Sequence, residues 1–118
     1  MKFLMMIKHA EQTQPFQPPD SLNDAMGKFV TEGFTKGWLK DTAGLRPTKD
    51  GLRIRSKGGK LTTTDGPFTE SKEIVGGYAI VETKTREEAL EIARFMELHR
   101  IHIPEFECES EVRPAEDF

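Results

Sequence analysis

The sequence predicts a single α+β domain, and three observations carry that prediction. Residues 3–7 and 74–81 are each apolar on both alternating faces. Two longer stretches, after Asp20 and after Thr85, place apolar residues at three- and four-residue spacing. These segments follow one another as strand, helix, strand, with the pattern repeated later in the chain. A strand apolar on both faces belongs in mid-sheet, covered on each side. A helix with one apolar stripe covers one such face. At 118 residues the chain is long enough for one core of its own.

Taken in order, Lys2-Phe3-Leu4-Met5-Met6-Ile7-Lys8 forms the first strand, with His9 at its exit. Residues 12–19 contain three prolines and read as an extended loop. Asp20 or Ser21 offers an N-cap, and Leu22, Ala25, Met26, Phe29, Val30 and Phe34 share one helical face. Gly33 weakens that helix late, and Gly37 suits the position just past its end. Trp38-Leu39 opens a second strand that fades toward Pro47. Leu52-Arg53-Ile54-Arg55 and the β-branched run 60–64 flank Ser56-Lys57-Gly58-Gly59, a hairpin pattern over 52–64. The paired Gly76-Gly77 inside the 74–81 strand predicts a bend or close approach by another group. Thr85 with Glu88 makes a capping box for a helix burying Ala89, Ile92, Ala93 and Met96 and ending near His99. Residues 106–113 alternate strictly, Phe106, Cys108 and Val112 inward and the acids outward, as a half-exposed strand.

The order is thus β-α-β-(hairpin)-β-α-β. With the hairpin set aside, it is the split βαβ pattern of a ferredoxin-like sandwich, an antiparallel sheet with two helices on one face. Two helices leave the other face of the two apolar strands uncovered. The same face of a second copy is the simplest cover, so the sequence predicts a homodimer.

Composition narrows the function classes. Net charge is 17 minus 20, or −3, with no basic block, which argues against nucleic acid or an anionic membrane as partner. A single cysteine, Cys108, excludes an internal disulfide and fits a reducing compartment. The apolar opening is too short for a membrane span or signal peptide, so the expected location is cytoplasmic. Gly58-Gly59 and Gly76-Gly77 lack the strand and helix context of phosphate-binding loops, and no cofactor is expected.

The most informative stretch is Thr64-Asp65-Gly66-Pro67-Phe68. Gly66 permits positive φ, Pro67 fixes φ, and together they hold Asp65 beside an aromatic anchor. Continued through Thr69-Glu70-Ser71-Lys72-Glu73 and Gly76-Gly77-Tyr78, the stretch closely resembles the signature of the DGPF branch of the YCII-related (YciI-like) domain family. Ala25-Met26-Gly27-Lys28-Phe29, Gly44-Leu45-Arg46-Pro47 and Glu111-Val112-Arg113 add to the resemblance. It implies a ferredoxin-like subunit in a dimeric α+β barrel, with a pocket between sheet and loops and a histidine–aspartate site of unestablished reaction. Carried over by position, the aspartate is Asp65 and the histidine is His9. Some domains of the family are fused to transcription sigma-factor regions, which implies a non-catalytic regulatory module as the alternative.

The chemistry of these residues leaves two readings open. Asp65 orienting His9 makes a general acid/base pair acting on a small organic molecule. Alternatively, Asp65 only accepts backbone N–H bonds within its own turn. Gly66, Pro67, Phe68, Lys72 and Tyr78 are the expected ligand-binding surroundings, although Lys72 also reads as part of a solvated loop and Tyr78 as core. His99, His102 and Glu105 have metal-binding residue types without a zinc spacing, so no metal is expected.

Overall fold

The structure is a computed structural model that describes residues 1–11, 17–68 and 72–117. Parts of the two expected loops, 12–16 and 69–71, lie outside the described residues. In chain order the elements are β1 (Lys2–His9), α1 (Asp20–Lys36), β2 (Leu39–Gly44), a single 3-10 turn (Thr48–Asp50), β3 (Leu52–Lys57), β4 (Lys60–Asp65), β5 (Ile74–Glu82), α2 (Arg86–Ala93), α3 (Met96–His102) and β6 (Glu109–Ala115).

The main sheet is antiparallel in the order β2-β5-β1-β6. The two strands with two-faced apolar patterns therefore occupy the centre, as their sequences require. With the hairpin set aside, this is the ferredoxin-like strand order. Because side chains alternate, Phe3 and Met5 share one face with their partners Val81 and Ala79 on β5. Phe3, Met5 and Val81, with Leu39 and Ala89, form the buried core against the helices, and the half-buried Ala79 packs against it. Leu4, Met6, Tyr78 and Ile80 occupy the opposite face and are only half-buried. The molecule is 44 × 38 × 19 Å, and 19 Å is the thickness of one sheet with one helix layer.

Helix α1 departs from its expected cap. It starts at Asp20 with Pro19 in the cap position, and the Pro19 carbonyl accepts from Leu22 and Asn23 N–H. Gly37 at φ 84° ends it in the left-handed conformation, as the sequence predicts. Gly33 is buried because a Cβ there would come within 2.7 Å of the Trp38 ring and 2.8 Å of Leu39 Cβ. Trp38 thus occupies the site at the helix end that Phe34 was expected to fill, and Phe34 is half exposed at 50%.

The second helical stretch is two helices. Thr85 Oγ1 accepts from Glu88 N–H at 3.1 Å, and the Glu88 carboxylate accepts from Lys84 N–H, so the capping pair forms. At Arg94 and Phe95 the ladder tightens to bonds three residues back. Helix α3 then resumes and runs through His102 rather than stopping near His99. Strand β6 begins at Glu109, three residues later than the alternation suggests, and Phe106 lies in the preceding turn.

The hairpin forms as expected, with Gly58 and Gly59 at φ 59° and 76° in its two-residue turn. It is a separate two-stranded sheet that does not join the main one. Among the described residues no helix is long and apolar enough to cross a membrane.

A candidate ligand cavity between sheet and helices

A cavity of about 330 Å³ opens between the covered face of the main sheet and the helices. That is within the size range of small-molecule sites. Its floor is Met5 and Ile7 of β1 with Ala79 of β5, and Leu22, Met26 and Phe29 of α1 form one wall. Ile92, Phe95 and His99 close the opposite side, and Phe106 stands at the β6 end. The aromatic rings run in sequence around it. Trp38 and Phe29 are 5.2 Å apart, Phe29 and Phe95 5.7 Å, and His99 meets Phe95 edge-on at 5.8 Å. None of the described lining residues is Asp, Glu, Lys or Arg.

His9 reaches this cavity from the exit of β1. Its ring tilts against Phe106 at 5.2 Å, and Nδ1 lies 2.7 Å from the Ala10 carbonyl. A carbonyl only accepts, so Nδ1 donates and Nε2 carries the lone pair whenever the ring is neutral. Gly76 makes room for it, since a Cβ there would sit 2.3 Å from His9 Nε2. The pairing of β1 with β5 shifts register at this point, which places Gly76 opposite no residue of β1. The close approach predicted from the glycine pair is therefore the imidazole of His9.

Tyr78 borders the cavity through β5, yet its hydroxyl donates to Asp41 at 2.9 Å. That hydrogen bond and the Asp41 charge raise its pKa above the ordinary phenol value. The remaining expected site residues lie elsewhere. Asp65 ends β4 with an exposed side chain, and it is not among the described lining residues. Neither are Gly66, Pro67, Phe68 and Lys72, and the Lys72 side chain is exposed. Among the described residues no hydrogen bond joins Asp65 to His9.

The turn at 65–68 is instead fastened to the 3-10 turn. Gly66 N–H donates to the Gly51 carbonyl, and Phe68 N–H donates to Thr48 Oγ1 at 3.2 Å. Thr48 Oγ1 in turn donates to Glu11 at 2.5 Å, two residues past His9. Gly66 does not adopt positive φ, which corrects the reason expected for glycine there. The requirement is space, because a Cβ would lie 1.6 Å from the Thr48 carbonyl oxygen. Phe68 is half-buried beneath the Arg53 guanidinium, 3.9 Å from its ring centre.

His99 is the site residue that sequence reasoning missed. Its Nδ1 is enclosed and has no hydrogen-bond partner. Burial pushes its imidazole below the ordinary histidine range, and the hydrogen-bonding pull of the Phe95 backbone, one turn back, raises it to a smaller degree. His102 bonds Ser21 Oγ at 3.0 Å at the start of α1, so the two histidines serve different surroundings. Among the described residues no cluster of three metal-ligating side chains occurs. Cys108 is half-buried before β6, and burial raises its thiol pKa.

Comparison with known proteins agrees with this architecture. An uncharacterized protein of Rhizobium meliloti (strain 1021) is 36% identical over 58 residues, which is 49% of this chain. The match spans about half of that relative, 47% of its length. The YCII-related domain matches residues 1–97, taking in the whole main sheet except β6. With most of its length matched to that domain, the chain belongs to the YCII-related family.

Proposed function

We propose that this protein binds a small organic molecule in the cavity between sheet and helices, with His9 as the group that exchanges a hydrogen bond or proton with it. The observation that carries this reading is the convergence of His9 on an apolar, aromatic-walled cavity free of charged residues among those described. Such a site, largely apolar with few polar groups, is the usual form of a small-molecule pocket. The 64–73 stretch supports placing the chain in the DGPF branch of its family.

Trp38 is the chain's one tryptophan and lines the cavity, so its fluorescence reports occupancy. A screen of small apolar and aromatic compounds is expected to yield ligands that change Trp38 emission and raise the melting temperature. Ala79→Leu, which extends the floor residue into the cavity, is expected to weaken those ligands by about tenfold or more while the fold persists. Ligands bound equally well by wild type and Ala79→Leu would reject the cavity as the site.

A second reading makes the protein an acid/base enzyme in which Asp65 orients His9. It is supported by the tie from the 65–68 turn through Thr48 to Glu11, which holds the motif near the exit of β1. In that reading Asp65→Asn abolishes turnover of an identified substrate and leaves binding intact. In the first reading Asp65→Asn changes neither. The subunit also fits a symmetric pair, its half-buried Leu4, Met6, Tyr78 and Ile80 facing their copies across a two-fold axis to close a dimeric barrel.

A further inference from the structure

The β3–β4 hairpin and strand β6 each leave an edge open. Among the described residues β3 and β4 pair only with each other, and β6 ends the main sheet with β1 as its one neighbour. An open edge presents unpaired N–H and C=O groups to any strand that fits. The two edges carry opposite charge. Residues 52–65 hold Arg53, Arg55, Lys57 and Lys60 against Asp65, 4 minus 1, or +3. Residues 105–113 hold Arg113 against Glu105, Glu107, Glu109 and Glu111, 1 minus 4, or −3. Arg55, Lys57, Lys60, Glu105 and Glu107 make no ion pair with a described residue. We propose that the hairpin is an arm whose β3 edge pairs with the β6 edge of a second copy of this chain. The inference is independent of the ligand cavity, and it goes beyond the face-to-face pairing of sheets by naming a second contact between copies.

Alternation makes the two strands compatible on both faces. Arg53, Arg55 and Lys57 share one face of β3, while Leu52 and Ile54 share the other with Leu61 of β4. On β6, Glu109 and Glu111 lie opposite Lys8 and Met6 on the face of the sheet away from the helices. Ser110 and Val112 lie opposite Ile7 and Met5 on the face that meets the helices. Pairing β3 with β6 therefore sets cations beside acids on one face, and the exposed Leu52 and Ile54 beside Val112 on the other. A slip of one residue would reverse both matches, so the register is defined. Charge also disfavours the competing pairs, since two β6 edges would oppose Glu to Glu and two β3 edges Arg to Arg. The other open edge of the main sheet, β2, holds only Lys40 and Asp41, which cancel. Exchanged about a two-fold axis, each copy gives one hairpin and receives one, so both β6 edges are filled. Exposed ion pairs contribute up to about 1 kcal/mol each, so this contact orders the hairpin without carrying the dimer, and it opens ahead of the central strands.

The test mixes two preparations of the intact chain. One carries Cys108→Ser and Thr62→Cys, with a nitroxide on the thiol at 62; the other is nitrogen-15-labelled and carries no nitroxide. Broadening of amide signals in the second preparation then reports contact between copies alone. The expected result is broadening at 109–113 and none at 39–44. Arg55→Glu with Lys57→Glu in the nitroxide copy should weaken docking by about tenfold, as two exposed attractions become repulsions. Raising the salt to about 0.5 M should weaken it as well, because these charges are screened. Glu107→Lys with Glu109→Lys in the labelled copy, both at exposed positions, should restore docking of the reversed hairpin, which a packing role for these residues would not do. Absent broadening in a sample that sediments as a dimer, or broadening at 39–44 instead, would overturn the arm and leave the face-to-face pair standing. Hairpin signals lost on adding phosphatidylglycerol vesicles, with 109–113 unbroadened between copies, would assign the ribbon to an anionic membrane surface and overturn the proposal. A monomer would overturn both contacts.

Discussion

At the residue scale, two glycines that look alike in sequence do different work. Gly76 yields space to the end of a side chain, since the group that a Cβ would meet is the His9 ring. Gly66 yields space to backbone, the Thr48 carbonyl. An imidazole can swing aside, whereas a fastened turn cannot. Gly76→Ala is therefore expected to cost less than about 1 kcal/mol in urea denaturation while altering His9 in NMR spectra. Gly66→Ala should cost about 1–3 kcal/mol, the range for forced overpacking. Equal costs would contradict the distinction. His99 supplies a pH dependence with a definite sign. Its folded pKa lies below the ordinary value of 6.5, so between the two values the unfolded chain binds more protons. Its contribution is complete above about pH 6.5 and is lost as pH falls through the folded pKa. Melting temperatures measured from about pH 7.5 down to 5 should drop less steeply in His99→Phe than in wild type. Parallel curves would show that His99 is not desolvated.

At the scale of elements, what could be read in advance depended on whether the signal was local. The two-faced patterns of β1 and β5 put them mid-sheet, Gly37 marked the end of α1, and Thr85 with Glu88 marked the start of α2. Each of these follows from a few adjacent residues. The division between α2 and α3 does not, because residues 85–99 carry one continuous helical periodicity and the tightened turn at 94–95 interrupts it without a proline or glycine. Asp65 illustrates the complementary difficulty. The motif identified the family, but the position of its carboxylate depends on how a separate hairpin sits, which no periodicity records. The hairpin itself exposes Leu52, Ile54 and Leu61 at 55%, 65% and 74%, and it has only two strands. Such a ribbon has little to hold it closed. Hydrogen exchange should show amides of β3 and β4 exchanging well before those of β1 and β5. Equal protection would mean that the hairpin is covered by something else, a second copy included.

At the scale of the whole molecule, one sheet carries two apolar faces and one helix layer, and the two faces have different uses. The face under the helices holds the core and the cavity. The other carries the half-buried Leu4, Met6, Tyr78 and Ile80, the surface on which the proposed dimer would form. Sedimentation is expected to give a particle of twice 13.4 kDa, and Ile80→Asp should halve it. A wild-type monomer at micromolar concentration would remove the dimer from the account. The methionines divide along the same line and provide the most direct test of the cavity. Met5 and Met26 line it, Met6 lies on the opposite face of the sheet, and Met1 is exposed. With methionine methyls labelled with carbon-13, titration with 2-naphthol is predicted to shift Met5 and Met26 together along one saturating curve and leave Met1 and Met6 in place. Saturable shifts at Met6 with Met5 and Met26 unmoved would contradict the claim that the ligand site lies between the sheet and the helices.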